Sequence, residues 1–140
     1  MGYLKMHSFW KNYIDHLSEY GDSGGSGIGL LGSKEIENEL SEGSAPCSFI
    51  KKHGLIPFGI SVGGNCILFH VTTGFIYWAD HTSFDDDMVS FEDKETGEWI
   101  DLNRSKENDF KALVLLSKKP DTFLKKLIDG QLQSELDALD

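Results

Sequence analysis

The stretch IPFGISVGGNCILFHVTTGFIYWADH, residues 56 to 81, decides the fold of this chain. Its runs of Ile, Val, Phe, Tyr and Trp are typical of β-strands and predict strands at 58–61, 66–72 and 75–79. Glycine-containing turns at 62–65 and 73–74 separate the runs. Because strands with such short connections pair antiparallel, the stretch predicts an antiparallel sheet.

Helical patterns lie on both sides of this stretch. Upstream, apolar residues at helical spacing predict one buried helix face, formed by Phe9, Trp10, Tyr13, Ile14 and Leu17. Ser33 can cap a short helix that buries Ile36 and Leu40. Downstream, Pro120 fits the first turn of a helix, whose apolar face is Phe123, Leu124, Leu127 and Ile128, extended by Leu132, Leu136 and Leu139.

Further β-structure is predicted between the central stretch and the last helix. Residues 89–93 and 98–102 read as a second hairpin, and 28–31 as a short strand before the central stretch. The run 110–116 is compatible with either a strand or a helix. Helices placed at the ends of a run of antiparallel strands indicate an α+β fold, and a length of 140 residues suits one domain over 1–140.

Composition excludes several classes of function. The net charge of -10 argues against a nucleic-acid binder, which needs a basic surface. No apolar run approaches the ~20 residues of a membrane span, and no signal peptide is recognisable at the first residues, so we expect a cytoplasmic protein without a membrane partner. Cys47 and Cys66 have no paired spacing and predict buried thiols rather than a disulfide.

Three motifs suggest enzymatic chemistry but lack its context. Residues 21–25, GDSGG, match the nucleophile motif of chymotrypsin-like proteases, yet they directly follow a helix in a chain too short for two barrels. Residues 27–32 match G-x-G-x-x-G without the preceding strand that a dinucleotide site needs. The cluster of Asp80, His81 and Asp85–Asp87 has no metal-site spacing. We therefore predict no catalytic residue, no metal and no cofactor.

Acidic residues concentrate in one segment, the acidic block, defined here as Asp80–Asp109. It holds 11 acids against Lys94, Arg104 and Lys106, which leaves a net charge of -8. The block is either a solvated face or a docking surface for a basic partner, since charge of one sign steers association. The candidate partner-binding residues are Asp80, Asp85, Asp86, Asp87, Glu92, Asp93 and Glu95.

The central stretch resembles the core of the SUKH superfamily. The resemblance lies in a Pro-Phe strand, a Gly-Gly-Asn turn and an aromatic strand that starts after a glycine and ends near Asp-His. The motif residues, to which we assign scaffold roles, are Pro57, Phe58, Gly63, Gly64, Asn65, Gly74, Tyr77 and Trp78. Where family members often carry acids just before the Gly-Gly turn, this chain has Ser61 and Val62.

The resemblance implies a binding protein rather than an enzyme. The superfamily includes bacterial immunity proteins, which bind a cognate toxin, often a nuclease, and also the Smi/Knr-type regulators of the fungal cell wall. We therefore expect a non-enzymatic immunity protein whose partner is a basic toxin. A Smi/Knr-type regulator or scaffold with endogenous partners is the alternative, and a small enzyme is a third. Neither residues nor resemblance fix the oligomeric state.

Overall fold

The computed structural model describes residues 9–10, 13, 29–31, 36, 52–61, 64–132, 135 and 138–139. Its elements, in chain order, are β1 (Gly29–Leu30), β2 (Leu55–Ile60), β3 (Cys66–His70), β4 (Ile76–Ala79), a 3-10 helix (His81–Ser83), β5 (Met88–Glu92), β6 (Trp99–Asn103), α1 (Lys106–Lys111), β7 (Val114–Ser117) and α2 (Pro120–Ile128). Phe9, Trp10, Tyr13 and Ile36 are also helical.

The strands form two antiparallel sheets. Five of them follow the order β1-β2-β3-β4-β7, and β5 pairs with β6 in a separate hairpin. The connections are short, as the glycine turns predicted: β3 and β4 are joined through a turn in which Gly74 has a φ of 75°. The described residues therefore combine helices with an antiparallel sheet, which confirms the predicted mixed α and β content.

One face of the five-stranded sheet is covered by helices. Phe9, Trp10 and Tyr13 are at most 1% exposed, and their rings pack on Phe58 and Phe69 of the sheet. The Tyr13 hydroxyl lies 2.5 and 2.8 Å from the carbonyl oxygens of Leu31 and Phe58, either of which accepts its single proton. The same core contains Ile36, Ile56, Ile67, Ile76, Phe123, Leu124, Leu127 and Leu132.

The opposite face is covered by the β5–β6 hairpin and α1. Leu55, Cys66 and Leu68 of the sheet form a second buried cluster there. Its other buried members are Ala79, Phe84, Val89 and Ala112. Alternating residues of one sheet thus contribute to two cores. The acidic block folds onto the face opposite to the one that Phe9, Trp10 and Tyr13 cover.

The predicted buried helix faces are confirmed where they are described. Phe9, Trp10, Tyr13 and Ile36 are buried, as are Phe123, Leu124, Leu127 and Leu132, and Leu139 packs against the same core. Ile14, Leu17, Leu40 and Leu136 lie outside the described residues. Cys66 is a buried thiol, as predicted, whereas Cys47 is outside them.

Strand β2 starts earlier than the sequence predicted, at Leu55 instead of residue 58. Proline is normally confined to the start of a strand or to an edge strand, but Pro57 is the third residue of β2, which lies between β1 and β3. The strand's register to β3 shifts between Pro57 and Gly59. A bulge at this shift accommodates a residue that has no amide hydrogen to donate to the ladder.

The ambiguous run 110–116 holds both kinds of structure. Helix α1 ends at Lys111, and β7 begins at Val114. Other boundaries differ by small amounts: β3 ends at His70, because 71–73 already form the turn, and β5 and β6 are each displaced by one residue from prediction. An apolar run does not by itself mark where a helix gives way to a strand.

The glycine-rich motifs fall mostly outside the described part of the chain. Residues 21–25 are not described, and of 27–32 only 29–31 are. Gly29 and Leu30 belong to β1, which pairs with Gly59 and Ile60 of β2. Among the helices that can be described, none combines the length and apolar character required to cross a membrane.

Candidate functional site

The Gly-Gly-Asn turn of the motif is hydrogen-bonded to the end of the central stretch. Gly64 has a φ of 82°, a conformation that side-chain-bearing residues rarely adopt. Asn65 is buried, and its Oδ1 accepts from the backbone N of His81 at 3.1 Å and from Nδ1 of the same residue at 2.9 Å. Ser61 Oγ accepts from Asn65 N. Asn65 of the first turn therefore ties that turn to His81, the last residue of the central stretch.

The remaining motif residues mainly build the sheet. Phe58 is fully buried, and Trp78 is 7% exposed. Tyr77 points to the opposite face, as neighbouring residues of a strand do, and is half-buried there against Phe110. Gly63 lies outside the described residues. The scaffold roles assigned to the motif residues stay a prediction.

Several candidate acids hold turns together. Asp80 Oδ1 accepts from the backbone N and from Oγ1 of Thr82, at 2.9 and 2.7 Å. Asp85 Oδ1 accepts from the backbone N of Asp87 and Met88. Asp93 Oδ1 accepts from the backbone N of Glu95. Asp80, Asp85 and Asp93 therefore stabilise turns of the acidic block and also contribute to its negative charge.

Other candidate acids are directed to solvent. Asp86, Asp87 and Glu95 are exposed, and their carboxylates have no hydrogen-bond or ion-pair partner among the described residues. Glu92 is exposed too and lies 3.8 Å from Nζ of Lys94, which is itself 82% exposed. Such a pair is solvated and weak. The structure thus separates acids that stabilise turns from acids that are available to a partner.

An exposed tryptophan, which the sequence analysis did not select, lies among these acids. Trp99 is 64% exposed and pairs with Glu92 across the β5–β6 hairpin. Phe91 and Ile100 occupy the inward face, so Trp99 and Asp101 face outward together. The alternation of Trp99, Ile100, Asp101 and Leu102 is the signal that could have placed Trp99 outside.

A buried ionic group attaches the acidic block to the segment that leads into β2 of the five-stranded sheet. Nε2 of His53 lies 2.8 Å from Oδ2 of Asp109, and Nε of Arg104 donates to Oδ1 of the same carboxylate at 2.8 Å. Nη1 of Arg104 donates to the carbonyl oxygen of Asp85 at 2.6 Å, and Arg104 N donates to Asp87 O. This cluster, which sequence reasoning missed, fixes the loop that carries the solvent-directed carboxylates of Asp86 and Asp87.

A second histidine lies beside this group. The ring of His70 packs against Tyr77 and Phe110, and its Nδ1 is 2.9 Å from Thr73 Oγ1. Burial lowers the pKa of His70 below its ordinary value, and the Lys106 ammonium lowers it further. Burial also raises the pKa of Tyr77.

A cavity of about 340 Å³ lies among the end of β4, the β5–β6 hairpin, the connection from α1 to β7 and residues 138–139. Its lining combines aromatic, aliphatic and charged side chains: Trp78, Asp80, Ser83, Phe91, Glu92, Lys94, Trp99, Lys111, Ala112, Leu113, Val114, Ala138 and Leu139. Trp78 is its most buried aromatic residue, and Nε1 of Trp78 has no hydrogen-bond acceptor within the described part of the chain.

The described residues contain no group of three His, Cys, Asp or Glu side chains that could hold a metal ion. In particular, Asp80 is engaged with Thr82, and His81 with Asn65, rather than with each other. Comparison with known proteins finds no matching family model, no matching curated protein and no matching solved structure. The resemblance to the SUKH superfamily therefore stays a prediction.

Proposed function

We propose that this chain is a single SUKH-type domain that acts as a non-enzymatic immunity protein. It binds a basic toxin, such as a nuclease, through the acidic block and blocks its active site. The observation that carries the proposal is the set of solvent-directed carboxylates of Asp86, Asp87 and Glu95, which have no partner among the described residues. The resemblance of the central stretch supports the same reading.

The charge of the block fits a nuclease cleft. An enzyme that acts on a phosphodiester backbone needs positive charge where the backbone lies. A protein surface with a local net charge of -8 is complementary to such a cleft. Complementary fields raise association rates from about 10⁵–10⁶ M⁻¹s⁻¹ to as much as about 10⁸–10⁹ M⁻¹s⁻¹ at low salt, and rapid capture suits a protein that must intercept a toxin before it acts.

Trp99 adds a large exposed aromatic side chain to this charged surface, and such a side chain can anchor a binding partner. Tryptophan is enriched among the residues that dominate interface energies, and a guanidinium can stack on an indole while it pairs with a carboxylate. Trp99 lies beside Glu92 and Asp101 on the outer face of the hairpin. An arginine at the rim of a basic cleft is therefore the side chain that this part of the surface suits best.

The test is co-expression with the toxic domain encoded beside this gene. We expect growth to be restored and the two proteins to be recovered as a complex after pull-down from the cells. A variant that carries Asp86→Asn, Asp87→Asn and Glu95→Gln should protect less, although its fold is unchanged. Unrestored growth without a complex would refute the immunity function, and recovery of several endogenous proteins instead would favour a Smi/Knr-type regulator.

A further inference from the structure

Strand β6 has a free edge. Its partner β5 lies between β6 and Phe84, which forms a bridge with Val89 of β5. On the other side of β6, no strand pairs with it in the part of the chain that the structure describes. A strand edge of this kind presents unpaired N–H and C=O groups to which another chain can add.

The hydrogen bonds of the hairpin show which groups point to this edge. Asp93 N donates to Glu98 O near the turn, and Arg104 N donates to Asp87 O at the other end. The register between these two contacts is unbroken, and hydrogen-bonded pairs alternate with non-hydrogen-bonded pairs along an antiparallel ladder. Every second residue of β6, starting with Trp99, therefore directs its N–H and C=O away from β5.

Trp99 and Asp101 carry the open groups of the edge. Both residues are exposed, and their main-chain N–H and C=O groups have no hydrogen-bond partner among the described residues. The edge ends at Asn103, whose carbonyl oxygen accepts from Nδ2 of Asn108. Since the side chains of Trp99 and Asp101 lie on the outer face of the hairpin, a strand added here meets both their main-chain groups and their side chains.

Charge around the edge selects a basic strand. Residues 92–101 hold five acids against one base, Lys94, which lies 3.8 Å from Glu92 and is 82% exposed. Glu98 and Asp101 are exposed and form no ion pair with a described residue. Opposite charges on facing strands stabilise their pairing, and like charges weaken it. A second copy of this chain would set its own acids against these, so the surface disfavours self-pairing through β6.

We infer that the partner adds an extended basic segment to the free edge of β6, as a third strand of the hairpin. Residues of the segment that lie opposite Trp99 and Asp101 exchange N–H···O bonds with them, and their side chains share the outer face. A basic side chain there pairs with the Asp101 carboxylate, and a guanidinium stacks on the Trp99 indole. The inference rests on the proposed function, because it states how the same basic toxin binds.

The test measures binding of a short basic strand to the full chain by two-dimensional NMR of the backbone amides. The probe is acetyl-Arg-Val-Arg-Val-Arg-amide. In the inferred pairing, its arginines lie opposite Trp99 and Asp101 with their N–H groups directed to β6, and its valines direct theirs to solvent. One comparison peptide is N-methylated at the arginines, a second is N-methylated at the valines, and a third has glutamate in place of each arginine.

We expect the probe to shift the amide signals of Trp99 and Asp101 saturably and to slow their hydrogen exchange, while the amide of Ile100, which faces β5, changes little. Methylation at the valines should leave the affinity within about threefold, whereas methylation at the arginines should weaken it at least about tenfold, as should glutamate in their place. Asp101→Asn keeps the main-chain groups and should weaken binding by about threefold. Asp129→Asn, an exposed change at the end of α2, is the matched control and should have no effect.

Three results would overturn the inference. Equal binding of the two N-methylated peptides would mean that the acids attract positive charge without adding a strand. Equal binding of the glutamate peptide and the probe would remove the preference for a basic strand. Slow exchange at Trp99 and Asp101 in a chain that sediments as a dimer without peptide would mean that a second copy occupies the edge.

The toxin encoded beside this gene separates the inference from the proposed function. If the toxin binds the chain without slowing hydrogen exchange at Trp99 and Asp101, the added strand is wrong and the proposed function stands. If the probe adds to β6 but the toxin does not bind the chain, the edge stands as a site for a basic strand and the proposed partner is wrong.

Discussion

Nε2 of His53 and Oδ2 of Asp109 lie 2.8 Å apart although 56 residues separate them in the chain. Their side chains are 1% and 2% exposed. The contact joins the segment before β2 to α1, and Arg104 completes it from the other side of the carboxylate. A buried carboxylate is tolerated only when it is paired and hydrogen-bonded, so this contact ties the stability of the main sheet to the position of the acidic block.

The first prediction concerns this buried group. Asp109→Asn removes the charge that Arg104 and His53 surround, and loss of one member of a buried ionic group costs about 3 kcal/mol of unfolding free energy. Glu107→Gln, an exposed change in the same helix, is the matched control and should stay within about 0.5 kcal/mol. Urea unfolding measures both. An Asp109→Asn protein as stable as the control would show that the group is not a structural tie.

The second prediction concerns the turn of the central motif. Asn65→Ala removes the acceptor of two hydrogen bonds from His81, one of them from its backbone N. Each hydrogen bond contributes about 0.5–1.5 kcal/mol net, so we expect thermal unfolding to show a loss of about 1–3 kcal/mol for the two. Asn103→Ala, at an exposed position of β6, should cost less than about 0.5 kcal/mol. Equal effects of the two changes would contradict the structural role of Asn65.

The third prediction concerns charge and association rate. The acidic-block triple variant, Asp86→Asn, Asp87→Asn and Glu95→Gln, should slow association with the basic toxin and flatten the dependence of the rate on salt. The control is a triple variant with the same change in net charge at other exposed positions: Asp121→Asn, Asp129→Asn and Glu135→Gln. Stopped-flow association across a range of salt concentrations measures both. If the two variants behave alike, net charge rather than the acidic block steers binding.

The fourth prediction concerns Trp99. If its indole is an anchor, Trp99→Ala should weaken the toxin complex by about 2 kcal/mol, which is roughly thirtyfold in the dissociation constant. Leu115→Ala removes a large apolar side chain that is 43% exposed on β7 and should change affinity by less than about twofold. Calorimetry of each variant with the same toxin domain is the measurement, and an unaffected Trp99→Ala complex would remove Trp99 from the interface.

The fifth prediction follows from the lowered pKa of His70. Its pKa in the folded state is below the unfolded value, so the unfolded chain takes up a proton first as pH falls. The stabilisation from neutral His70 is fully present above the unfolded pKa of about 6.5 and is lost as pH falls through the folded pKa. His70→Gln should lose less stability than the unaltered protein between neutral and mildly acidic pH, measured by urea midpoints. Equal losses of stability in the two proteins would assign the pH dependence to titratable groups other than His70.

The strands and the buried faces of strands and helices could be predicted from the sequence, because each follows from the spacing of apolar residues along the chain. Val89 and Phe91 alternate with Ser90 and Glu92, and β5 buries its apolar set as that pattern predicts. The start of β2 was not readable, because a proline inside a strand normally argues against one. Only the register shift beside Pro57 shows how the strand continues through it.

The sequence by itself determined where most of the strands run, which helix faces are apolar and where negative charge concentrates, since these depend on neighbours in the chain. Tertiary structure decided that His53 meets Asp109, that Arg104 binds the loop of Asp85 and Asp87, and that Trp78 lines a cavity with its donor unsatisfied. The physical reason is that such contacts depend on how the β5–β6 hairpin packs against the sheet. Periodicity records which side of a strand is buried but not which distant residue comes to lie against it.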